Sequence, residues 1–274
     1  MRAGVDLALL LLQALLVFAV AFVYANLGLG GGLLFVPILL STGVTESSVA
    51  VPISLTFTIA TAASSVINHR RKGFVDFRLG GTLVAGALVG AVLGTVFTLV
   101  FLVDEVAFKG FFTIVLVIFG AYMLWDWLRN QRSVDEDDDA KITPPRKAGV
   151  TAATVGSGFL SGSMGIGGGL LNVPLMVYGL GRKTRKAIGT SSLLIIPTAL
   201  VGFATYLVDL GLRPGGFAWP PDFVLIPLLF PVVFVGAYVG SRWGLRSLRT
   251  RPVALIFILV LFIAAAKLVY DLVA

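Results

Sequence analysis

The ten residues Gly28 to Pro37, "GLGGGLLFVP", return as "GIGGGLLNVP" at Gly165 to Pro174, identical at eight positions and at a constant offset of 137. Glycine leaves the backbone bare and tolerates positive φ, so a run of glycines lets consecutive N–H groups converge on one ligand. Such donors favour an anion. Helices beginning near Gly32 and Gly169 would add the positive ends of their dipoles, so an anion could be held there without a buried Lys or Arg. Further donors stand nearby. Asn26 and Ser163 occupy equivalent positions just before the two turns, and Ser54, Thr190, Ser191 and Ser192 lie in the next apolar segments, near Pro52 and Gly189. Together with Gly28, Gly30, Gly31, Gly32, Gly165, Gly167, Gly168 and Gly169 they form the candidate substrate site, in which hydroxyls and amides complete the coordination of an oxyanion. The plain alternatives are that the glycines only permit tight helix packing and that each hydroxyl caps or back-bonds its own helix. The duplicated break followed by Pro favours a site.

Covalent and metal chemistry find no comparable support. "GLGRKT" at Gly179 to Thr184 lacks the Gly-Lys pair of a nucleotide-binding loop, and "GLGGGL" lacks the sixth-position Gly of a dinucleotide fingerprint. A serine hydrolase built on "VGSGFLSGS" would need a base at the same depth, and the single histidine, His69, stands in the "HRRK" cluster. Cysteine is absent and the uncharged segments contain no acid, so neither a thiolate nor a metal cluster can be assembled there. The expectation is a protein that is not an enzyme and carries no cofactor and no metal.

The elements that must position the glycines are apolar. Hydrophobic residues make up 57% of the 274 and charged residues 13%, and uncharged runs of about 20 or more residues recur, the mark of a polytopic membrane protein. Leu7 to Thr45 is uncharged, with no basic residue ahead of it except Arg2, so this segment is read as structure and not as a cleavable signal. The net charge of +7 does not point to nucleic acid, because the basic residues sit in short clusters between apolar segments. The expected partners are the lipid bilayer and a small anion, with a homodimer left open.

Uncharged segments run over Leu7–Thr45, Ser47–Asn68, Leu79–Val103 and Gly110–Trp125, and then in the same order over Ala148–Gly181, Ala187–Val208, Phe223–Ser241 and Pro252–Ala266. Between the two sets lies "RNQRSVDEDDDAKITPPRK", read as a solvated linker whose acidic run is solubilising. The expected division is residues 1–128, linker 129–147, and residues 148–274. The repeat continues beyond the glycines. Ala50 matches Ala187 and Ser54 matches Ser191; after about nine extra residues in the second half, "VDF" at Val75 answers "PDF" at Pro221, and Gly90 and Gly94 answer Gly236 and Gly240. The last two pairs are small-xxx-small faces, suited to close helix packing.

Lysine and arginine give direction. Seventeen of the 21 fall in four clusters, at 69–78, 129–147, 182–186 and 242–251. With these clusters cytoplasmic, the connection after Ser47–Asn68 is inside and its counterpart after Ala187–Val208 is outside. The halves are then inverted, with both termini outside and the linker in the cytoplasm. Inversion requires an odd number of crossings per half, and three come from the later segments. The glycine-broken segment must therefore leave and return on one side. In the second half its returning arm, Leu170–Gly181, spans about 18 Å as a helix, too short for a core of roughly 30 Å. The expected fold is an all-α polytopic membrane protein of two inverted repeats, each a glycine-broken helical hairpin plus three transmembrane helices.

The duplicated glycine break followed by "VP", the "AIGTSSL" at Ala187 to Leu193 and the "HRRKGFVDFRLG" at His69 to Gly80 resemble the TauE/SafE sulfite exporter family over nearly the whole chain. The resemblance implies a plasma-membrane permease for small sulfur-containing or organic anions such as sulfite, thiosulfate, sulfoacetate or related sulfonates. In the first half "AVPISL" departs from the second half's pattern and keeps Ser54 without a threonine, which puts symmetric coordination in doubt. Alternating access around an anion held between the two tips is the expected mechanism, with an anion channel using the same loops as the alternative.

Overall fold

The structure is a computed structural model and describes residues 7–129, 143–212, 219–247 and 250–273. Among these residues the chain is α-helical and without strands. The first half contains α1 (Leu7–Leu27), α2 (Gly32–Ser41), α3 (Ser47–Arg70), α4 (Phe77–Phe101) and α5 (Glu105–Leu128). The second contains α6 (Pro144–Met164), α7 (Gly169–Pro174, widening into a π-helix over Leu175–Gly179), α8 (Thr184–Leu212), α9 (Leu225–Ser247) and α10 (Thr250–Val273). Six helices among the described residues are long and apolar enough to cross a membrane, and the chain is an all-α polytopic membrane protein. Most of the expected linker, 130–142, falls outside the described residues, and Pro144 to Lys147 form the first turn of α6.

The helices end where their residues dictate. Asp76 caps α4 by accepting the Leu79 N–H, and Asp104 caps α5 by accepting the Ala107 N–H. Both glycine turns follow a helix of 21 residues and precede a short one, α2 with 10 residues in the first half. Its length of about 15 Å is half a bilayer core. In the second half Pro174 has no N–H to continue α7, and the helix widens into the π form at the next residue.

Packing exchanges elements between the halves. Each hairpin's incoming helix lies against the fourth helix of the opposite half: α1 on α9, and α6 on α4. The contacts are glycine against backbone. A Cβ on Gly86, Gly90 or Gly94 of α4 would strike the carbonyls of Thr151, Val155 and Phe159 of α6, and one on Gly158 or Gly162 of α6 would strike Ala87 and Ala91. Gly236 and Gly240 of α9 meet Phe18 and Phe22 of α1 in the same way. Gly90, Gly94, Gly236 and Gly240 therefore carry the close-packing role expected of them. The numbers rise together along both pairs, so α1 runs parallel to α9 and α4 parallel to α6.

The ends of the bundle follow. Asn68 donates to Ser241 Oγ and the Tyr238 carbonyl, and Arg182 pairs with Asp76, so the basic clusters at 69–78, 182–186 and the end of α9 share one end of the molecule. At the other end Gln13 donates to the Thr42 carbonyl, and Glu105 accepts from the Ser47 N–H and hydroxyl.

Candidate functional site

The two glycine turns meet in the interior of the bundle. A Cβ on Gly32 would fall on the carbonyl of Gly165; one on Gly169 would fall on that of Gly28, and Gly167 lies beside the Gly30 Cα. These contacts map onto one another by the 137-residue offset, with Gly30 and Gly167 on the local two-fold axis. Gly30 (φ 83°), Gly31 (φ 98°), Gly167 (φ 87°) and Gly168 (φ 70°) take left-handed conformations, which a β-carbon would strain. The two tips interlock backbone to backbone at Gly32, Gly167 and Gly169, so these glycines of the proposed site are also packing glycines.

Hydroxyls from α3 and α8 lock the tips crosswise. Ser54 Oγ donates to the Gly165 carbonyl at 3.1 Å, and its equivalent, Ser191 Oγ, donates to the Gly28 carbonyl at 2.8 Å. Both serines are fully buried. With the carbonyls held this way, the amides are left over. The N–H of Gly28 closes on Tyr24 and that of Gly165 on Ser161, whereas those of Gly30, Gly31 and Gly32, and of Gly167, Gly168 and Gly169, make no hydrogen bond among the described residues. Six buried N–H groups without acceptors, three per tip, form a strong anomaly, since buried backbone amides are almost always paired. Amides converging in this way are suited to a shared acceptor.

The remaining predicted residues divide. Ser163 is 0% exposed, and its hydroxyl has no partner among the described residues. Its carbonyl accepts from Thr98 of α4 at 2.9 Å. Asn26 turns its amide back onto the Phe22 carbonyl, 2.8 Å away, and packs against Gly244 of α9. Thr190 points to the basic end, where its hydroxyl accepts the Asp76 N–H at 3.0 Å. Ser192 donates to Ser65 Oγ at 2.9 Å and to the Ile188 carbonyl. The structure thus brings Ser54, Ser191 and the glycines together, leaves Ser163 with a free hydroxyl, and engages Asn26, Thr190 and Ser192 in bonds between or within helices.

A sequence profile described as "Sulfite exporter TauE/SafE" matches residues 13–268. The chain belongs to the sulfite exporter TauE/SafE family. Among relatives, it is 27% identical to the probable membrane transporter protein YunE of Bacillus subtilis over 89% of this chain and 92% of that one. It is 26% identical to a probable membrane transporter protein of Haemophilus influenzae over 99% and 98%, and 26% identical to one of Methanocaldococcus jannaschii over 87% and 86%. No solved structure gives a significant match. The chain is accordingly a membrane transporter of this family.

Sequence reasoning missed several residues around the tips of this TauE/SafE chain. Thr58 of α3 sets its methyl against both Gly30 and Gly167, with Ile195, its equivalent in α8, on the other side of the axis. The same offset would have found this pair. His69, expected in a solvated basic cluster, is 2% exposed, with Nδ1 2.8 Å from the Ser65 carbonyl. Ser65 in turn donates to the Ala25 carbonyl, so a polar network backs the first tip. Arg182, a member of the 182–186 basic cluster read as a topology signal, is salt-bridged to Asp76 at 2.8 Å with side chains 12% and 18% exposed, joining the α3–α4 and π-helix–α8 connections. Away from the tips, a cavity of about 620 Å³ lies among Thr56, Ile59, Leu200, Phe203, Phe223 and Phe230. Its walls are apolar and the Thr56 hydroxyl is taken by the Ile53 carbonyl, so it offers no coordination to an oxyanion.

Proposed function

We propose that this chain is a secondary transporter that moves small sulfur-containing or organic anions, among them sulfite, thiosulfate, sulfoacetate and other sulfonates, out of the cell across the plasma membrane. The observation that carries this reading is the pair of buried amide triplets, Gly30–Gly32 and Gly167–Gly169, on two tips in contact, without acceptors among the described residues. The family's description as a sulfite exporter supports the substrate class. An oxyanion between the tips would accept several N–H bonds in a setting of low dielectric, where such bonds are strong. The tips are in backbone contact in the described conformation, so admitting an anion requires one hairpin to withdraw. Withdrawing alternately toward each end is alternating access about a central site.

Orientation follows from the clustered Lys and Arg at one end of the bundle, read as cytoplasmic. Both termini then lie outside, and the two repeats are inverted. Export follows from electrostatics: with the interior negative, each expelled negative charge gains about 2.3 kcal/mol per 100 mV.

The test is uptake into proteoliposomes of defined potential. Saturable flux of labelled sulfite or sulfoacetate, accelerated by unlabelled substrate on the opposite side, is the expected result. Conductance far above carrier turnover, without counterflow, would instead make the tips the filter of an anion channel. No flux of any anion in the panel would remove the proposal.

A further inference from the structure

The backbone of the two tips repeats, but one side chain beside them does not. Asn172 stands at the 137-residue offset from Phe35. Phe35 is fully buried, and its ring meets that of Phe57 of α3 edge-on with centroids 5.6 Å apart. The residue equivalent to Phe57 is Leu194, so the second half carries the smaller side chain at both places. Asn172 is 1% exposed, and neither its Oδ1 nor its Nδ2 has a hydrogen-bond partner among the described residues. A primary amide offers two donors and one acceptor, and burying all of them unused is among the costlier things a side chain can do. The helix does not need the amide: the Asn172 backbone N–H bonds the Gly168 carbonyl without it. Asn172 lies one turn, about 6 Å along the helix axis, from Gly168 at the tip. Ser161 and Ser163 in the last turn of α6 add two more buried hydroxyls without partners. In the first hairpin, by contrast, the Asn26 amide is bonded to its own helix.

Resting on the transporter reading, we infer that Asn172 contacts the transported anion and selects among anions, so that recognition is one-sided, on the second hairpin. The amide N–H donates to an anion oxygen. The amide carbonyl repels an oxyanion, and a donor carried by the substrate satisfies it. The class of ligand that fits both ends is a small oxyanion that itself carries a hydrogen-bond donor, a hydroxyl or an amine.

Ethanesulfonate and 2-hydroxyethanesulfonate share the charged group and differ by one hydroxyl. Titration calorimetry on the purified full chain should show the hydroxylated anion binding at least about 10-fold tighter. In Asn172→Leu that ratio should collapse to within about 2-fold, while in Phe35→Leu it should persist. Asn172→Asp, nearly the same shape, sets a second negative charge against the anion and should weaken both ligands by at least about 10-fold. Equal affinities in the unaltered protein, a preference that survives Asn172→Leu, or unchanged binding in Asn172→Asp would each overturn the assignment while leaving the transporter standing. Failure of both sulfonates, sulfite and thiosulfate to bind the unaltered protein would remove the transporter reading and this inference with it.

Discussion

The two hairpins share a backbone and differ in what surrounds it. Around the first tip stand Tyr24, Phe35 and Phe57; at the same offsets around the second stand Ser161, Asn172 and Leu194. The crosswise bonds from Ser54 and Ser191 and the reciprocal glycine contacts recur in both halves, while the buried serine and asparagine side chains at Ser161, Ser163 and Asn172, whose polar atoms have no hydrogen-bond partner among the described residues, stand where the first hairpin has Tyr24, Asn26 and Phe35. On the proposed reading, the matched glycines and serines serve assembly and the unmatched polar side chains of the second hairpin serve recognition.

Exchanging the aromatic for the amide gives the largest expected contrast. Phe35→Asn removes a buried ring from against Phe57 and leaves an amide with no designated partner, for a loss of about 3–5 kcal/mol, read as a large drop in thermal unfolding temperature in detergent. Asn172→Leu should leave that temperature unchanged or higher and reduce anion flux. Comparable destabilisation by both would mean that Asn172 is a packing residue like its counterpart.

The seam itself should respond equally from either side. Gly32→Ala and Gly169→Ala each drive a methyl group onto a carbonyl of the opposite tip, and each should cost about 2–3 kcal/mol. Thermal unfolding of the two variants side by side is the check; a difference as large as the effect would break the two-fold relation at the tips. Smaller again is the loss of one crosswise bond. Ser191→Ala orphans the buried Gly28 carbonyl, at about 1 kcal/mol, whereas Ser54→Ala should cost less, because the Thr58 hydroxyl still donates to the Gly165 carbonyl at 3.4 Å. If Ser191 alone abolishes anion binding, the second half's serine serves the substrate as well as the seam.

The apolar runs, the repeat, the short returning arms and the opposed charge bias were all legible in the sequence, because hydropathy and chain length act locally and one chain displays them in full. The pairing of Gly90 and Gly94 with α6, and of Gly236 and Gly240 with α1, was not. A small-residue face announces close packing but not its partner, and the partner here lies in the other half. His69 was hidden by its neighbours, since a basic cluster reads as solvated even when the last turn of α3 tucks its first member inward. Thr190 and Ser191 are adjacent and looked alike. On a helix adjacent residues point about 100° apart, which sends one hydroxyl to the Asp76 amide and the other to the tip. For Asn172 the signal was present as a mismatch in an otherwise identical motif, and it acquired meaning only when Phe35 proved packed and the amide unpaired.

The smallest expected effect separates the connections that follow the two hairpins. After α2 the chain continues through "TGVTE" with a single charge, Glu46; after the π-helix it continues through "RKTRK" with four positive charges. Arg182 pairs with Asp76, and Lys183 and Lys186 add positive charge to the same connection, at the end of the molecule read as cytoplasmic. Lys183→Gln with Lys186→Gln should raise the apparent KM for anions entering from that end by about 2-fold at low ionic strength, through lost attraction across the mouth. The difference should vanish at 0.5 M salt, where the screening length falls to roughly 4 Å, and kcat should not change, because neither lysine lies at the tips. Flux measured from the opposite end should be insensitive at either salt concentration. A KM effect that persists at high salt, or that appears equally from both ends, would place these lysines in the transport path instead of at its mouth, and the basic connection would then join the second hairpin's polar side chains as part of the recognition surface.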